Sequence, residues 1–440
     1  MSLLSRTRLY LRDKKNFLLL RIFHFLRKFD WKKMKSCKYS ITGTGGLLVI
    51  PCDPWSLTGS RGDEAMLMVL QKMFPNSPLH IVTATPEASQ VARIHGWFPE
   101  PCWQEKNLFA NLLNVAIHIR PSACVILGAD VMDGYYDADN SLALFAIADI
   151  MAHHGLPTSL LGFSFNSKPH PKVLKGLRRM DENFVYQLRD PVSLVRFEKA
   201  TGLQAKLVSD VAFLLQPDNR SPKYSEISSW KKREGKRLLA INLHPMLIKN
   251  ASPENIREII ETLHVVLDSL LQTTEWNILL LPHDDRGDVS DNICLKPLFQ
   301  KLERWKNRVK HLDVVLDAAK MKGIASLADC LVTSRMHLGI AGLSQAIPTM
   351  GFTYQDKFQG MIEHFGLDKR FILPLPVMKN RQEIESKIKW LLDNKDKIRI
   401  KILDALPHVF RLAQENFSPL NINSSDSYRL KDSHDDECII

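Results

Sequence analysis

The sequence predicts an α/β protein with two Rossmann-like, parallel-sheet domains that face a cleft. The first observation is that short, uninterrupted apolar runs alternate with longer helical patterns from about residue 45 of the 440-residue chain. Such runs are typical of strands buried on both faces of a parallel sheet with covering helices. The second observation is a polar stretch at 216–236, after which the alternation starts again. The third is length, because about 400 residues exceed what one hydrophobic core usually holds.

The N-terminal α/β domain is predicted to span residues 41–215. Its apolar runs are GLLVIPC (46–52), LHIVTAT (79–85), ACVILGAD (123–130), TSLLGFSF (158–165), FVYQLRD (184–190) and AKLVSDVAF (205–213). Helical patterns such as DEAMLMVLQKMF and NSLALFAIADIMAHH separate these runs. This order of strand, helix and strand is the signature of βαβ units.

The C-terminal α/β domain is predicted to span residues 237–417, after a linker at 216–236. Its apolar runs are RLLAINLH (237–244), WNILLLPHDD (276–285), VKHLDVV (309–315), ADCLVTS (328–334) and PTMGFTY (348–354). A helix is expected near 253–271, and a long helical segment at about 381–416 closes the domain. Residues 418–440 are rich in Ser, Asp and Asn, and they are predicted to form a disordered tail.

The net charge is +11, from 59 Lys and Arg against 48 Asp and Glu, and it is unevenly distributed. Residues 1–40 hold twelve Lys or Arg and two Asp, whereas the other 400 residues hold 47 basic and 46 acidic side chains. A nearly neutral body excludes the protein-wide basic groove that a duplex-binding protein needs. We therefore expect no nucleic-acid partner, and we assign the basic character to an N-terminal arm, 1–40.

The arm mixes basic and apolar residues, and its longest apolar run is Phe17–Leu20. A bilayer span needs about 20 apolar residues, so no span is predicted in the arm. Arg21 and His24 interrupt the stretch that a secretory signal would use. Three alternatives stay open: a helix on an anionic membrane surface, a solvated extension and an organelle-targeting segment. The expected location is the cytoplasm, peripheral at a membrane under the first alternative, and an organelle or the Golgi lumen under the third.

The strongest candidate site follows the strand at 328–334, because ligands of open α/β sheets bind beyond the carboxyl ends of the strands. Ser334 is expected to cap the next helix through its hydroxyl. Arg335 and His337 then lie in the first helical turn, where free N–H groups favour an anion. Arginine adds a bidentate fork for phosphate or carboxylate, and histidine can donate to phosphate or move a proton. A surface arginine beside a capping histidine is the equally weighted alternative.

Two further loops are expected to face the same space. Lys357 lies in YQDKFQG, the loop after the neighbouring strand, and can point at the same anion. GSRGDEA follows the first strand, where Gly59 and Gly62 allow close approach of a ligand. Asp63 in that loop is expected to act as a base or, in the alternative, as a plain helix cap.

Other polar residues end neighbouring strands. Asp130 ends the strand that closes with GAD, and His283 lies in LPHD. In LRDPVS, Asp190 is expected to cap a helix that starts at Pro191, which leaves Arg189 at the edge of the cleft.

An Asp-rich loop, DAD at 137–139, is the one feature that would suit a metal-dependent sugar transferase. No nucleotide-binding fingerprint accompanies it, so we interpret it as a solvated loop. No metal site is predicted.

The ordered set of motifs resembles the polysaccharide pyruvyl transferase family. The matching segments are GSRGDE, GAD, LGFSF, RDPVS, VSDVAFLL, LPH, SRMH and TYQDKFQG, in family order over about residues 45–370. The resemblance implies a fold like the glycosyltransferase B architecture. It implies transfer of a pyruvyl group from phosphoenolpyruvate to two hydroxyls of a sugar, as a cyclic ketal. By similarity, the donor would be held or activated by Arg189, Arg335, His337 and Lys357.

The implied chemistry suits these residues, because phosphoenolpyruvate carries a phosphate and a carboxylate that need several cationic donors. In this hypothesis His337 is an acid or phosphate donor, and Arg335 and Lys357 clamp the phosphate. Arg189 meets the carboxylate, and Asp63 orients or deprotonates an acceptor hydroxyl. The reaction requires no metal or redox cofactor in principle. The expected partners are phosphoenolpyruvate and a sugar or glycan acceptor, either free or lipid-linked.

Two other functions are kept as alternatives. One is a nucleotide-sugar-dependent glycosyltransferase of the same architecture, because a fold does not fix a function. The other is a non-catalytic, glycan-binding relative.

Overall fold

The computed structural model describes residues 31–36, 38–103, 107–247, 252–353 and 357–420. It contains two parallel sheets with helices on both faces, which confirms the predicted α/β fold class. Most of the predicted arm and residues 421–440 of the predicted tail lie outside the described residues.

The first sheet has the strand order β3-β2-β1-β4-β5, with all neighbours parallel. Its strands are β1 (Leu47–Ile50), β2 (Leu79–Val82), β3 (Phe98–Glu100), β4 (Ala123–Ile126) and β5 (Thr158–Leu160). A short parallel pair, β6 (Gln187–Leu188) and β7 (Lys206–Leu207), continues this sheet through bridges at Phe163. The register aligns Leu47 with Leu79 on one side and with Ala123 on the other.

Helices connect these strands and cover the sheet. They are α1 (Arg61–Met73), α2 (Pro86–Ile94), α3 (Leu108–Ile119), α4 (Ala138–His153), α5 (Pro171–Leu177) and α6 (Pro191–Thr201). Local sequence sets their ends, because Asp137 and Asp190 accept bonds from the first-turn amides of α4 and α6. Gly202 ends α6 in the left-handed conformation that glycine adopts without strain. The DAD motif is therefore the start of a helix.

The second sheet has the order β10-β9-β8-β11-β12-β13 and is also parallel throughout. Its strands are β8 (Leu238–Ile241), β9 (Asn277–Leu280), β10 (Val309–His311), β11 (Cys330–Thr333), β12 (Thr349–Thr353) and β13 (Ile372–Pro374). Its helices are α7 (Pro222–Glu234), α8 (Pro253–Thr273), α9 (Asn292–Lys301), α10 (Ala318–Ala325), α11 (Met336–Leu343), α12 (Lys357–Glu363), α13 (Leu375–Met378), α14 (Arg381–Asp393) and α15 (Lys395–Gln414). Short 3₁₀ turns lie at Val211–Leu214, Pro245–Leu247, Gly287–Val289, Glu303–Trp305, Lys369–Phe371 and Glu415–Leu420.

Two predicted segments differ in detail from the structure. The stretch at 216–236 contains α7, whose Ile227 and Trp230 are buried against the second sheet. The long segment at 381–416 is two helices, α14 and α15, which separate at Asn394.

A continuous apolar cluster joins the two domains. Leu47 and Val49 of β1 belong to it, as do Leu239 and Ile241 of the second sheet. Residues 211–215 connect the two halves of the cluster. The alternate residues of β1 pack in a separate cluster on the other face of the first sheet. Both faces of β1 are therefore covered, as an uninterrupted apolar strand requires.

The ends of the described chain pack onto the first domain. Trp31 is buried, and its ring N–H donates to Asp149 Oδ2 at 2.8 Å. At the other end, Asn416 is fully buried after α15. Its Oδ1 accepts from Gly162 N at 2.7 Å, and its Nδ2 donates to Ser209 O at 2.9 Å. The final helix of the second domain is thereby anchored to the first.

A search for membrane spans found none, because no described helix is both long and apolar enough.

The Asn416 anchor gives a stability prediction. We expect Asn416→Ala to lower the free energy of unfolding by about 3 kcal/mol, because two buried backbone groups lose their partners. Denaturant unfolding of the full chain measures this change. Asn183→Ala is the control, since Asn183 is exposed and its side chain donates to the nearby Asp181. A change of about 0.5 kcal/mol or less is expected for this variant. Equal effects of the two variants would contradict the anchor.

Candidate functional site

A cavity of about 310 Å³ lies at the topological switch points of both sheets. In the first sheet, Asp53 follows β1 and Asp130 follows β4, and these strands are central neighbours. In the second sheet, His244 follows β8 and Arg335 follows β11, which are also central neighbours. The two sheets therefore contribute equivalent strand ends to one cavity.

Seven of the ten predicted site residues line this cavity. They are Asp63, Asp130, Arg189, His283, Ser334, Arg335 and His337. Gly59 and Gly62 do not line the cavity themselves. Gly59 allows Arg286 to approach closely, and Gly62 allows His337 to do so. Lys357 begins α12 after β12, but its side chain lies outside the described residues.

The turn from β11 into α11 corrects the predicted role of Ser334. Arg335, not Ser334, is the N-cap residue, and it makes no side-chain cap bond. The Ser334 hydroxyl instead donates to Asn242 Oδ1 at 3.0 Å, and Thr333 Oγ1 accepts from Arg335 N at 3.0 Å. Asn242 follows β8, so its amide links the two central strands. Arg335 therefore leaves the first-turn amides of α11 without a side-chain cap from the N-cap position.

Arg335 is held by acidic side chains of its own domain. Its Nε donates to Asp291 Oδ1 at 2.9 Å, and its Nη2 donates to Val289 O at 2.7 Å. Asp284 Oδ2 lies 3.3 Å from Nη1. Both carboxylates are buried, and the arginine side chain is 15% exposed. The guanidinium is therefore fixed in place while one face remains open to the cavity.

Asp291 is the buried centre of this bracing. Its Oδ2 accepts from Asn242 Nδ2 and from His283 N, each at 2.7 Å. The Asp291 carboxylate therefore orients three groups that follow central strands. They are the Arg335 guanidinium after β11, the Asn242 side-chain amide after β8 and the His283 backbone after β9.

His337 lies in the first turn of α11 and packs against the first domain. A Cβ added at Gly62 would lie 2.1 Å from His337 Nδ1, so only glycine permits this approach. His337 Nε2 is 3.6 Å from Asp210 Oδ2, which is a charge contact longer than a hydrogen bond. Among the described residues this buried nitrogen has no hydrogen-bond partner. A buried orphan nitrogen at a cavity wall fits a group that a ligand satisfies.

Arg189 and Asp210 form a buried pair beside His337. Arg189 Nη1 donates to Asp210 Oδ2 at 2.8 Å, and Nε donates to Ser164 Oγ at 2.7 Å. Burial opposes ionisation of Asp210, but His337 and Arg189 outweigh it and hold its pKa well below the usual range. Asp210 is therefore a carboxylate at neutral pH, positioned between the Arg189 guanidinium and the His337 ring.

Asp63 lies in the first turn of α1, whose cap is Ser60. Cys52 Sγ donates to Asp63 Oδ1 at 3.1 Å. Burial raises the pKa of Asp63 to about 6, although Cys52 and His337 act in the opposite direction. A carboxyl with this pKa can exchange a proton near neutral pH.

His283 is buried beside the cations of the site. Burial lowers the pKa of His283 well below its usual value, and His337, Arg335 and Arg61 lower it further. His283 is therefore neutral at physiological pH and offers hydrogen bonds without charge.

Two lining arginines were missed from the sequence, Arg61 and Arg286. Arg61 Nη2 lies 3.6 Å from Asp285 of the second domain, and Arg286 Nη1 lies 3.8 Å from Asp53 of the first. Arg286 also passes close to Gly59, where an added Cβ would meet its Cδ at 2.6 Å. Each missed arginine lies within three residues of a predicted site residue, and that proximity was the available signal.

The cavity therefore combines four arginines with three histidines, mainly from the turns that follow the strands. It suits a small anionic ligand on the α11 side. On the β4 side, Asp130 accepts from the Tyr136 hydroxyl at 3.3 Å, and both line the cavity. Carboxylate and phenol groups bind hydroxyls.

Fold and site together define a two-domain α/β protein with a cationic cavity at the switch points of two parallel sheets. The sequence matches the polysaccharide pyruvyl transferase family over residues 61–356, which include most of the lining residues. The chain belongs to this family, whose members are transferases that modify polysaccharides, so the acceptor is a glycan. No significant similarity to an individual curated protein was found.

Solved structures confirm the architecture. A UDP-glucosyltransferase from Polygonum tinctorium aligns with a TM-score of 0.55 and 12% identity, over 86% of this chain and 98% of its own. A glycosyltransferase from Rickettsia africae has a TM-score of 0.53 and 10% identity, over 88% and 100%. The UDP-GlcNAc 2-epimerase of Neisseria meningitidis aligns with a TM-score of 0.53 and 10% identity, over 85% of this chain and 98% of its own. These similarities establish the predicted glycosyltransferase B-like fold and nothing about substrates.

The two buried carboxyls give stability predictions of opposite sign. The folded protein binds a proton at Asp63 more tightly than the unfolded chain does, because its pKa rises from 3.8 to about 6. Asp63 therefore costs stability as the pH rises through this range, by at most about 3 kcal/mol. We expect Asp63→Asn to raise the free energy of unfolding at about pH 8 and to leave it unchanged at about pH 4.

Asp210 is the matched control, because its depressed pKa stabilises the fold above the unfolded value and the effect is lost on acidification. Asp210→Asn leaves Arg189 buried without its counter-charge, so a loss of about 3–5 kcal/mol is expected at about pH 8. Denaturant unfolding at both pH values measures the two effects. A loss of stability in both variants would refute the assignment for Asp63.

Proposed function

We propose that the protein transfers a pyruvyl group from phosphoenolpyruvate to two hydroxyls of a sugar in a glycan, forming a cyclic ketal. The observation that carries this proposal is the braced Arg335 beside the orphan Nε2 of His337 at the start of α11. A fixed guanidinium, an unsatisfied ring nitrogen and helix amides without an N-cap side-chain bond are the groups that would suit a phosphate here.

The donor is placed by charge. The phosphate takes the α11 side, with Arg335 and His337, and Lys357 joins it from the start of α12. Nε and Nη1 of Arg189 are committed to Ser164 and Asp210, so Nη2 is proposed to meet the carboxylate. Arg61 and Arg286 extend the cationic lining, which helps to neutralise a ligand with more than one negative charge.

The reaction begins with proton transfer to the methylene carbon of phosphoenolpyruvate, which leaves an oxocarbenium-like centre on the adjacent carbon. His337 is proposed either as this acid or as a donor to the phosphate, and Asp210 would stabilise its protonated form across 3.6 Å. One sugar hydroxyl attacks that centre and loses its proton. Inorganic phosphate then leaves, and the second hydroxyl closes the ketal ring as its proton passes to the departing phosphate. The balance is one phosphoenolpyruvate and one diol in, and one ketal and one phosphate out, with no change of oxidation state.

Asp63 is proposed to orient or deprotonate the acceptor hydroxyl. Its pKa of about 6 leaves it mostly ionised at neutral pH while keeping it a stronger base than an ordinary aspartate. The buried Cys52 thiol fixes one oxygen and leaves the other for the substrate.

The acceptor is proposed to lie toward Asp130 and Tyr136, the hydroxyl-binding side of the cavity. The proposed glycan is either free or lipid-linked, and the chemistry itself needs no metal or redox cofactor. A cytoplasmic location, with membrane contact through the basic arm, belongs to the same proposal.

A nucleotide-sugar-dependent glycosyltransferase is the second candidate, favoured by the fold of the solved neighbours. A non-catalytic glycan-binding protein is the third. The products separate all three, because only the proposed reaction releases inorganic phosphate from phosphoenolpyruvate.

The test incubates the protein with phosphoenolpyruvate and a panel of glycans. We expect phosphate release together with a glycan mass gain equal to pyruvate less one water. Release of a nucleoside diphosphate from a nucleotide sugar, with no such gain, would instead support the second candidate. Glycan binding without heat from phosphoenolpyruvate in calorimetry would support the third.

His337→Ala should lower kcat/KM by at least about 100-fold, because general acid catalysis contributes that much. The matched control is His118→Ala on the exposed side of α3, which should keep wild-type activity. Wild-type turnover by His337→Ala would remove His337 from the mechanism.

A further inference from the structure

A second cavity, a groove of about 110 Å³, lies on the first domain between α4 and α5. Its floor is apolar and consists of Trp31, Phe109, Leu142, Ala143 and Ala146. The helices are close here, because a Cβ at Gly176 would lie 2.1 Å from Leu142 Cδ2. The proposed reaction uses none of these residues.

The rim of this groove is basic. Lys172, Lys175 and Arg179 line it, and all three are exposed. Their spacing of three and four residues places them on one side of α5 and the turn that follows. Residues 168–179 hold five Lys or Arg and no Asp or Glu, although the body as a whole is nearly neutral. Lys172 pairs with Asp139 at 3.4 Å, so the charge of the rim is only partly compensated.

The basic arm reaches the body at this groove. Trp31 contributes to the apolar floor, and the next residues, Lys32 and Lys33, are exposed. Residues 1–30 hold eight Lys or Arg and two Asp, with apolar residues among them. Placing that segment in the groove would bring like charges together, so the arm itself is a poor occupant.

We propose that the groove binds an anionic membrane lipid, with the headgroup phosphate on Lys172, Lys175 and Arg179 and an acyl segment on the apolar floor. An apolar floor inside a basic rim matches the two parts of such a lipid. Each basic residue at an anionic membrane surface strengthens binding by about fivefold. A nucleic acid would use the charge alone and leave the apolar floor unused.

This assignment goes beyond the transferase activity and does not depend on it. It also gives the active cavity a position relative to the membrane. Asp139 at the groove is three residues from Tyr136 at the cavity, a span of at most about 11 Å along the chain. A protein bound through the groove therefore holds the hydroxyl-binding side of its cavity near the lipid surface.

The test is sedimentation of the full chain with phosphatidylcholine vesicles, with and without phosphatidylserine. The triple variant Lys172→Glu, Lys175→Glu and Arg179→Glu should bind the anionic vesicles at least about tenfold more weakly than wild type. The control reverses three exposed charges on the second domain, Lys232→Glu, Lys397→Glu and Arg399→Glu. It has the same net charge and should bind no more than about threefold more weakly. Equal losses in the two triples would overturn the groove as the site.

A second measurement separates the lipid from its headgroup. Calorimetry of the wild-type chain should show binding of a short-chain, monomeric phosphatidylserine and at least about tenfold weaker binding of glycerophosphoserine. Equal affinity for the two, or selective binding of an oligonucleotide, would overturn the lipid assignment. If the charge reversal prevents folding, the neutral triple Lys172→Gln, Lys175→Gln and Arg179→Gln serves in its place, with the same criterion.

Discussion

The pairing of Arg335 with the buried carboxylates of Asp291 and Asp284 is the interaction on which the site depends. A buried carboxylate without a counter-charge lowers the stability of the fold, so Asp291 and Asp284 need the arginine as a partner. The same contacts hold the guanidinium in one position. Asn242 joins the same network through Asp291 and Ser334, which ties β8 to β11 at the switch point. The cation is therefore in place before any ligand arrives, and preorganised charge of this kind is the largest contribution in many enzymes.

Contacts beside this network hold the first domain against the second. His337 approaches α1 at Gly62, and its Nε2 lies 3.6 Å from Asp210 Oδ2 of the first domain. Farther along α1, Glu64 Oε2 accepts from Ala318 N at the start of α10, at 2.9 Å. The catalytic groups proposed here thus come from both domains: Asp63 and Arg189 from one, Arg335 and His337 from the other. A change in the interdomain angle would separate the proposed acid from the proposed base, so under this proposal the buried anchor at Asn416 serves the chemistry as well as stability.

The fold class and seven of the residues that line the cavity follow from the sequence, because central strands are uninterrupted apolar runs and these residues lie in or near the turns that follow them. The edge strands β3 and β13 were not predicted, since each has only three residues and contains a proline. The prediction that Ser334 caps α11 was wrong, because its hydroxyl donates instead to Asn242, which is remote in sequence. No sequence pattern identified Asp291, because its role depends on its buried contacts with Arg335 and Asn242, which are distant in sequence. Local pattern therefore locates the strand ends, whereas tertiary partners decide what each side chain does there.

That Arg335 and His337 hold the donor phosphate is tested most directly by a crystal structure of the full chain with phosphoenolpyruvate. The phosphate is expected within hydrogen-bond distance of the Arg335 guanidinium, His337 Nε2 and the first amides of α11. Arg335 should keep its contacts with Asp291 and Asp284. Phosphoenolpyruvate bound outside this cavity, or a cavity that excludes it while accepting a nucleotide sugar, would contradict the account.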